Sequence, residues 1–327
     1  MAKEREWPKI AVMGAGAVGS FFGGMLARAG APVTLIGRAP QMEAVTRSGL
    51  FLDSIHFQEN ISVNAATNCE ALSDAAIVLI CVKTGDTEEA ARQIMGQLAP
   101  GTIVVSLQNG VDNVERIRAE SGIEALSAAV YVAVEVTAPG RIRHTGAGHL
   151  AIGDFWNRSL SDDSWRHSVE NVASLFSRAG VPCRISEDIQ ADLWIKLTMN
   201  CAYNAISALG RARYGQLAEN RWIREIMLQV ILEIVAVARA AGVKIPPSDD
   251  LLESALKLGK TMENAISSTA QDIQRRKHTE IDALNGYVVR RAKQLSIGAP
   301  VNQTLHALVK LLEEVSLSSS TGQSILI

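Results

Sequence analysis

The sequence predicts an α/β protein, with a doubly wound, mostly parallel sheet in its N-terminal part and an all-helical C-terminal part. Three observations carry this expectation: short apolar runs alternate with helical stretches from Ile10 to Leu107, glycines recur through Gly14-Ala15-Gly16-Ala17-Val18-Gly19, and strand-like runs cease after Ser186. Strands alternating with helices imply a parallel sheet covered on both faces. A chain of 327 residues suits two cores better than one, because a domain usually holds about 100–200 residues.

Ile10-Ala11-Val12-Met13 reads as a buried strand, Ala17 to Ala29 as a helix, and Val33 to Ile36 as a second strand reached through Gly30, where a helix C-cap is expected. The alternation continues with a strand from Ala76 to Val82, a helix from Thr87 to Leu98, the Pro100-Gly101 breaker and a strand from Ile103 to Leu107. The runs Ala129 to Val136, Arg141 to His144 and His149 to Ile152 are parted by Pro139-Gly140 and Gly146-Ala147-Gly148, and read as antiparallel strands extending the sheet. A helix from Asp163 to Ala179 and a short strand from Val181 to Ile185 close the first domain, expected to span residues 1–186. Residues 187–327 are expected to form helices over Ile189 to Ala208, Trp222 to Ala241, Leu251 to Leu258, Ala270 to Arg276, Glu280 to Leu295 and Gln303 to Val315, with a frayed tail from Ser316.

Composition narrows the function. With 32 Lys plus Arg against 34 Asp plus Glu, the formal net charge is −2, so no whole-molecule field draws the chain to nucleic acid or anionic lipid. Cys69, Cys81, Cys183 and Cys201 show no paired, metal-like spacing, which predicts no metal site and a reducing compartment. The uncharged stretch from Ile10 to Ala27 after Lys3, Arg5 and Lys9 resembles a leader or membrane span, but its glycines fit a turn and helix better. The expectation is a cytoplasmic protein.

Gly14 to Gly19 is the pattern GxGxxG between a strand and a helix. Gly14 permits the tight turn, Gly16 lets the backbone approach a pyrophosphate, and Gly19 allows close helix packing, while the helix N-terminus offers N–H donors and partial positive charge. In that context the pattern predicts a Rossmann-type dinucleotide site. At the end of the second strand, where an acidic residue would bind the ribose 2′-hydroxyl of NAD, stand Gly37 and Arg38. Arg38 can pair with a 2′-phosphate through its planar fork, so NADPH is the expected cofactor; a solvated surface arginine is the alternative. Lys83 and Asn109-Gly110 end two further strands at the same edge, where open α/β sheets bind ligands, and plain turn roles are as compatible with their spacing.

In the helical part, Lys196, Asn200 and Asn204 recur at i, i+4 and i+8 within an otherwise apolar helix. Asparagine forms helices poorly and gains little on a solvated face, so the stripe points to a pocket more than to solvent or a helix contact. A buried or half-buried lysine there can serve as a general acid, with a pKa that burial would lower from about 10.4 toward working pH. Ser267-Ser268-Thr269-Ala270-Gln271-Asp272 and Thr279-Glu280-Ile281-Asp282 form another polar group, for which helix capping is the simpler reading, with Thr279 as the N-cap of a helix starting at Glu280.

Taken together, Gly14 to Gly19, Lys83, Gln108-Asn109-Gly110, Trp194-x-Lys196-x-x-x-Asn200-x-x-x-Asn204, Ser267-Ser268 with Gln271-Asp272, and Thr279-Glu280-Ile281-Asp282-x-x-Asn285-Gly286 resemble the ketopantoate reductase family, in the family's order. The resemblance implies hydride transfer from NADPH to the keto carbon of 2-dehydropantoate (ketopantoate), giving pantoate for coenzyme A synthesis. It also implies that Lys196 is the general acid and that Glu280 hydrogen-bonds a substrate hydroxyl. Asn200, Asn204 and Ser268 would hold the substrate's hydroxyl and carboxylate ends, Asn109 would sit between cofactor and substrate, and Arg38, Lys83 and the backbone from Gly14 through Ala15, Ala17 and Val18 to Gly19 would serve NADPH. Another branched 2-oxo acid as substrate, or a non-catalytic NADP(H) sensor, are the alternatives. The apolar helix from Ile223 to Ala241 suits a core or a homodimer interface equally.

Overall fold

Ile10, Ala11, Val12 and Met13 are all buried, as expected of a central strand in a parallel sheet with both faces covered. The computed structural model of the chain describes residues 6–158 and 161–318. The chain divides into two compact units, Met1–Asp192 and Leu193–Ile327, the division falling within a helix.

The first unit runs β1 (Ile10–Met13), α1 (Ala17–Arg28), β2 (Val33–Ile36), α2 (Ala39–Ser48), β3 (Leu50–Ser54), β4 (Gln58–Ile61), β5 (Asn64–Ala66), β6 (Ile77–Ile80), α3 (Thr87–Met95), β7 (Ile103–Ser106), α4 (Asn113–Ser121), β8 (Ala125–Ala138), β9 (Arg141–Gly153), α5 (Asp163–Arg178) and β10 (Cys183–Ile185). The strands form one sheet in the order β4-β3-β9-β8-β7-β6-β1-β2-β5, with β10 also on β9. Because side chains alternate across a strand, Ile10, Val12, Val33, Leu35, Ile77, Leu79 and Val105 join α1, α2 and α5 in one core cluster. Phe22 of α1 meets Phe176 of α5 edge to face at 5.8 Å. The intervening Ala11, Val78, Ile80 and Val104 are buried on the opposite face.

The expected antiparallel extension is present in β8 and β9, but it is larger than the sequence predicts. Arg141 to His144 and His149 to Ile152 belong to a single strand that bulges between them; Ala147 lies at φ +56° and Gly148 at φ +119°. His144 stabilises the bulge: its Nε2 is 2.9 Å from the Ala147 carbonyl and its Nδ1 is 3.0 Å from Ser54 Oγ. The strands β3, β4 and β5 have no counterpart in the sequence-based expectation. Of these, β4 is polar and mostly exposed, and β3 pairs parallel with the distant β9, a long-range pairing that local periodicity does not reveal.

The second unit continues α6 (Ile189–Gly210) and adds α7 (Tyr214–Glu219), α8 (Arg221–Ala240), α9 (Ser248–Thr261), α10 (Ser268–Gln274), α11 (Asn285–Gln294) and α12 (Pro300–Ser318). It contains no strand among the described residues. The expected helix from Glu280 to Leu295 is two elements, a 3₁₀ turn over Ile281–Ala283 and then α11, with Leu284 at φ −103° and ψ −107° between them. The N-cap of the short turn is Glu280, and Thr279 Oγ1 accepts the Ile281 N–H at 3.3 Å from one residue before it, so Thr279 does not cap a long helix. The expected frayed tail begins inside α12, and residues 319–327 lie outside the described residues.

Candidate active site

Parallel pairing brings four loops to one edge of the first unit's sheet. Met13 is in register with both Ile36 and Ile80, and Ile80 with Ser106. The residues that follow these strand ends, Gly14 to Gly16, Gly37-Arg38, Lys83 and Asn109, therefore emerge side by side.

The glycine turn meets the requirements of a pyrophosphate cradle. Gly14 has φ +104°, and a Cβ there would lie 2.6 Å from Val82 N. At Gly19 a Cβ would lie 2.2 Å from the Gly14 carbonyl oxygen. Gly16 differs, since a Cβ built on it meets nothing within 4 Å. It borders open space at the N-cap of α1, a helix with no side-chain cap and no acid in its first turn. Helix N-termini of this kind attract anions. Ala15 N–H donates to the Ile36 carbonyl at 2.9 Å, and Ala17 and Val18 begin the helix. Arg38 is exposed at the N-cap of α2. Lys83 is exposed before the turn that leads into α3.

Asn109 is held by a buried polar network that the sequence reading did not identify. Its carbonyl accepts from Thr84 Oγ1 at 2.7 Å and from Asn113 Nδ2 at 2.6 Å. Gln108 Nε2 donates to Thr87 Oγ1 at 2.8 Å and to the Val82 carbonyl at 3.2 Å, while Gln108 Oε1 accepts from Ser106 at 3.0 Å. Buried polar groups that satisfy one another make a loop rigid. The sequence signal was there in Thr84, Thr87 and Asn113, three polar residues at the strand ends and helix starts around the same edge.

In the second unit, α6 carries the predicted stripe. Asn204 is 3 % exposed. Its Nδ2 donates to Ser268 Oγ at 3.4 Å, and its Oδ1 accepts from Tyr214 at 3.3 Å. Burial raises the Tyr214 hydroxyl above the ordinary tyrosine value, so it remains a donor. Ser267 is the structural member of the serine pair: its Oγ donates to the Asn204 carbonyl at 3.1 Å and accepts the Ala270 N–H at 3.0 Å as the N-cap of α10. Ser268, beside it, is exposed. Asn200 is half-buried between Lys196 and Asn204 along α6.

Lys196 is half-buried, and burial lowers its pKa to about 8 against the opposing attraction of Glu280. A lysine and a carboxylate 84 positions apart are thus electrostatic neighbours within the second unit. Such an amine carries a proton at neutral pH and releases it readily. Each unit therefore assembles its own predicted group: Gly14 to Gly19, Arg38, Lys83 and Asn109 in the first, and Lys196, Asn204, Ser268 and Glu280 in the second. Among the described residues no His, Cys, Asp or Glu group could hold a metal ion, and no helix is long and apolar enough to cross a membrane.

Comparison with known proteins places this arrangement. The family Ketopantoate reductase PanE/ApbA matches residues 10–157, and its C-terminal counterpart matches residues 188–313. The chain is 35 % identical over 304 residues to a 2-dehydropantoate 2-reductase of Pyrococcus abyssi, covering 92 % of this chain and 97 % of that protein. A PanE/ApbA family ketopantoate reductase from Ralstonia eutropha superposes with a TM-score of 0.86 at 43 % identity, covering 94 % of this chain and 99 % of that one. A D-mandelate dehydrogenase solved with NADH and anilino(oxo)acetate shares the fold, with a TM-score of 0.87 at 21 % identity, 94 % of this chain and 99 % of that one being covered.

Proposed function

The chain belongs to the ketopantoate reductase family, and from that premise we propose that it reduces 2-dehydropantoate to pantoate with NADPH, in pantothenate and coenzyme A synthesis. Residues 1–186 serve as the NADPH-binding domain, and residues 187–327 as the helical catalytic domain. The observation that carries this reading is Lys196, an amine brought to about 8 by burial with Glu280 as its charged neighbour.

The open space at Gly16 and the uncapped N-terminus of α1 fit a dinucleotide pyrophosphate. The backbone of Gly14, Ala15, Gly16, Ala17, Val18 and Gly19 would hold it, with Arg38 on the 2′-phosphate and Lys83 beside the phosphates or ribose. When bound, the dihydronicotinamide supplies a hydride to the keto carbon. Asn109, kept in place by Thr84 and Asn113, would orient the reacting groups from the first unit. Lys196 would donate its proton to the carbonyl oxygen as negative charge develops there, so that the ketone becomes a hydroxyl and the lysine is left neutral. Glu280 would accept a hydrogen bond from a substrate hydroxyl, while Asn200, Asn204 and Ser268 would bind the hydroxyl and carboxylate ends without adding charge.

We place the protein in the cytoplasm as a homodimer, acting on a small 2-oxo acid and not on nucleic acid or membranes. The test is an activity panel that follows NADPH absorbance with ketopantoate and other branched 2-oxo acids. The expected outcome is oxidation with the highest kcat/KM for ketopantoate. A higher kcat/KM for another acid would transfer the chemistry to that substrate, and no turnover by folded protein that binds NADPH would leave a sensor.

A further inference from the structure

The residues around Glu280 are held from a helix that the reaction scheme does not use. α12 presents His306, Lys310 and Glu313 at i, i+4 and i+7, on one face. Glu313 is 4 % exposed, unusual for a carboxylate unless it is paired. Its Oε2 accepts the Thr279 N–H at 2.6 Å, and its Oε1 lies 3.2 Å from His278 Nδ1 and 3.3 Å from Lys310 Nζ. At the other end of the segment, Asp282 meets His306 Nε2 at 2.7 Å and Lys310 Nζ at 3.0 Å. Glu280 stands between these two anchored positions. Gly286 permits the close approach of α12, because a Cβ there would lie 2.8 Å from His306 Nε2.

We infer that Glu313 is a positioning residue for Glu280, and that α12 acts through Glu313 and the Lys310–Asp282–His306 group as a clamp on the Thr279–Asp282 segment. Two features distinguish this from ordinary helix packing. The segment is a 3₁₀ turn followed by an irregular residue, so few repeating backbone hydrogen bonds hold its course, and side chains of α12 take over that task at both ends. The contact at Thr279 is also a charge-assisted bond to a backbone N–H, which fixes the main chain one residue before Glu280. The inference rests on the reading that Glu280 contacts substrate.

The test uses the full-length protein and a double-mutant cycle on Glu313→Ala and Glu280→Gln, with Glu313→Gln as the conservative variant and Asp282→Asn loosening the other anchor without changing α12. KM and kcat for ketopantoate are measured together with the Kd for NADPH by fluorescence titration. Glu313→Ala is expected to raise KM for ketopantoate about tenfold with little change in NADPH affinity. Glu313→Gln retains an acceptor for the Thr279 N–H and recovers most of the loss, and Asp282→Asn repeats the pattern more weakly. In the Glu280→Gln background Glu313→Ala should add almost nothing, since its effect passes through Glu280. Additive losses, or unchanged KM in both Glu313→Ala and Asp282→Asn while Glu280→Gln is impaired, would overturn the inference alone. Unimpaired Glu280→Gln would instead remove Glu280 from the reaction and the clamp's purpose with it.

Discussion

Lys196 loses its proton around a pKa lowered to about 8, because burial opposes its charge more strongly than Glu280 supports it. As the proposed general acid it must be protonated, so kcat/KM is expected to fall as pH rises through about 8. Stability moves the other way. An amine with a folded pKa below its ordinary 10.5 is charged in the unfolded chain and neutral in the folded one between about 8 and 10.5, so its contribution to stability rises with pH across that window. A comparison of wild type with Lys196→Met by activity and thermal melting reads both signs, and parallel movement of the two would contradict them. Lys196→Ala should lower kcat by about 10²–10⁴ while NADPH titrates with nearly unchanged affinity; equal kcat would remove the lysine from its role. Arg38→Ala should weaken NADPH by about tenfold or more and leave NADH nearly unaffected, since the lost contact is a charge-assisted pair worth about 1.5–3 kcal/mol. An unchanged preference for NADPH would place the 2′-phosphate elsewhere.

At the scale of the element, the β1–α1 turn separates two roles that the same residue type plays. A Cβ at Gly19 would meet the Gly14 carbonyl oxygen at 2.2 Å and Val12 Cγ1 at 2.9 Å, so strand or helix must shift. Gly19→Ala is expected to cost about 1–3 kcal/mol of stability, visible as a lowered melting temperature without cofactor. Gly16→Ala meets no protein atom, and changing Gly to Ala at a helix N-cap should cost only about 1 kcal/mol. Its effect should appear in NADPH titration instead, because the methyl group enters the space expected for the pyrophosphate. Gly16→Ala that unfolds the protein yet binds NADPH normally when folded would reverse that assignment.

For the molecule as a whole, the proposed homodimer would cover apolar side chains of α8 that are exposed in the single chain (Trp222, 58 %; Leu232, 41 %), so sedimentation velocity should show a dimer; a monomer at micromolar concentration would refute it. The parallel strands, the glycine turn and the Lys196 stripe were legible in the sequence because each is a local pattern: four buried apolar residues, a strand-turn-helix spacing, or a repeat every fourth residue along α6. β3 and β4 were not legible for separate reasons: β4 is polar and mostly exposed, and the short apolar β3 is fixed by parallel pairing with β9, far along the chain, which local periodicity does not register. Glu313 was equally hidden, for a glutamate beside Glu314 in a helix reads as a solvated face until its partners at Thr279 and Lys310 are seen. Sequence alone therefore determined the fold class and the family and singled out the candidate side chains, all carried by short-range order. Tertiary structure decided which serine caps and which faces solvent, how Asn109 and Asn204 are held, and what anchors the segment containing Glu280, because burial and long-range hydrogen bonding depend on chain segments tens of residues apart.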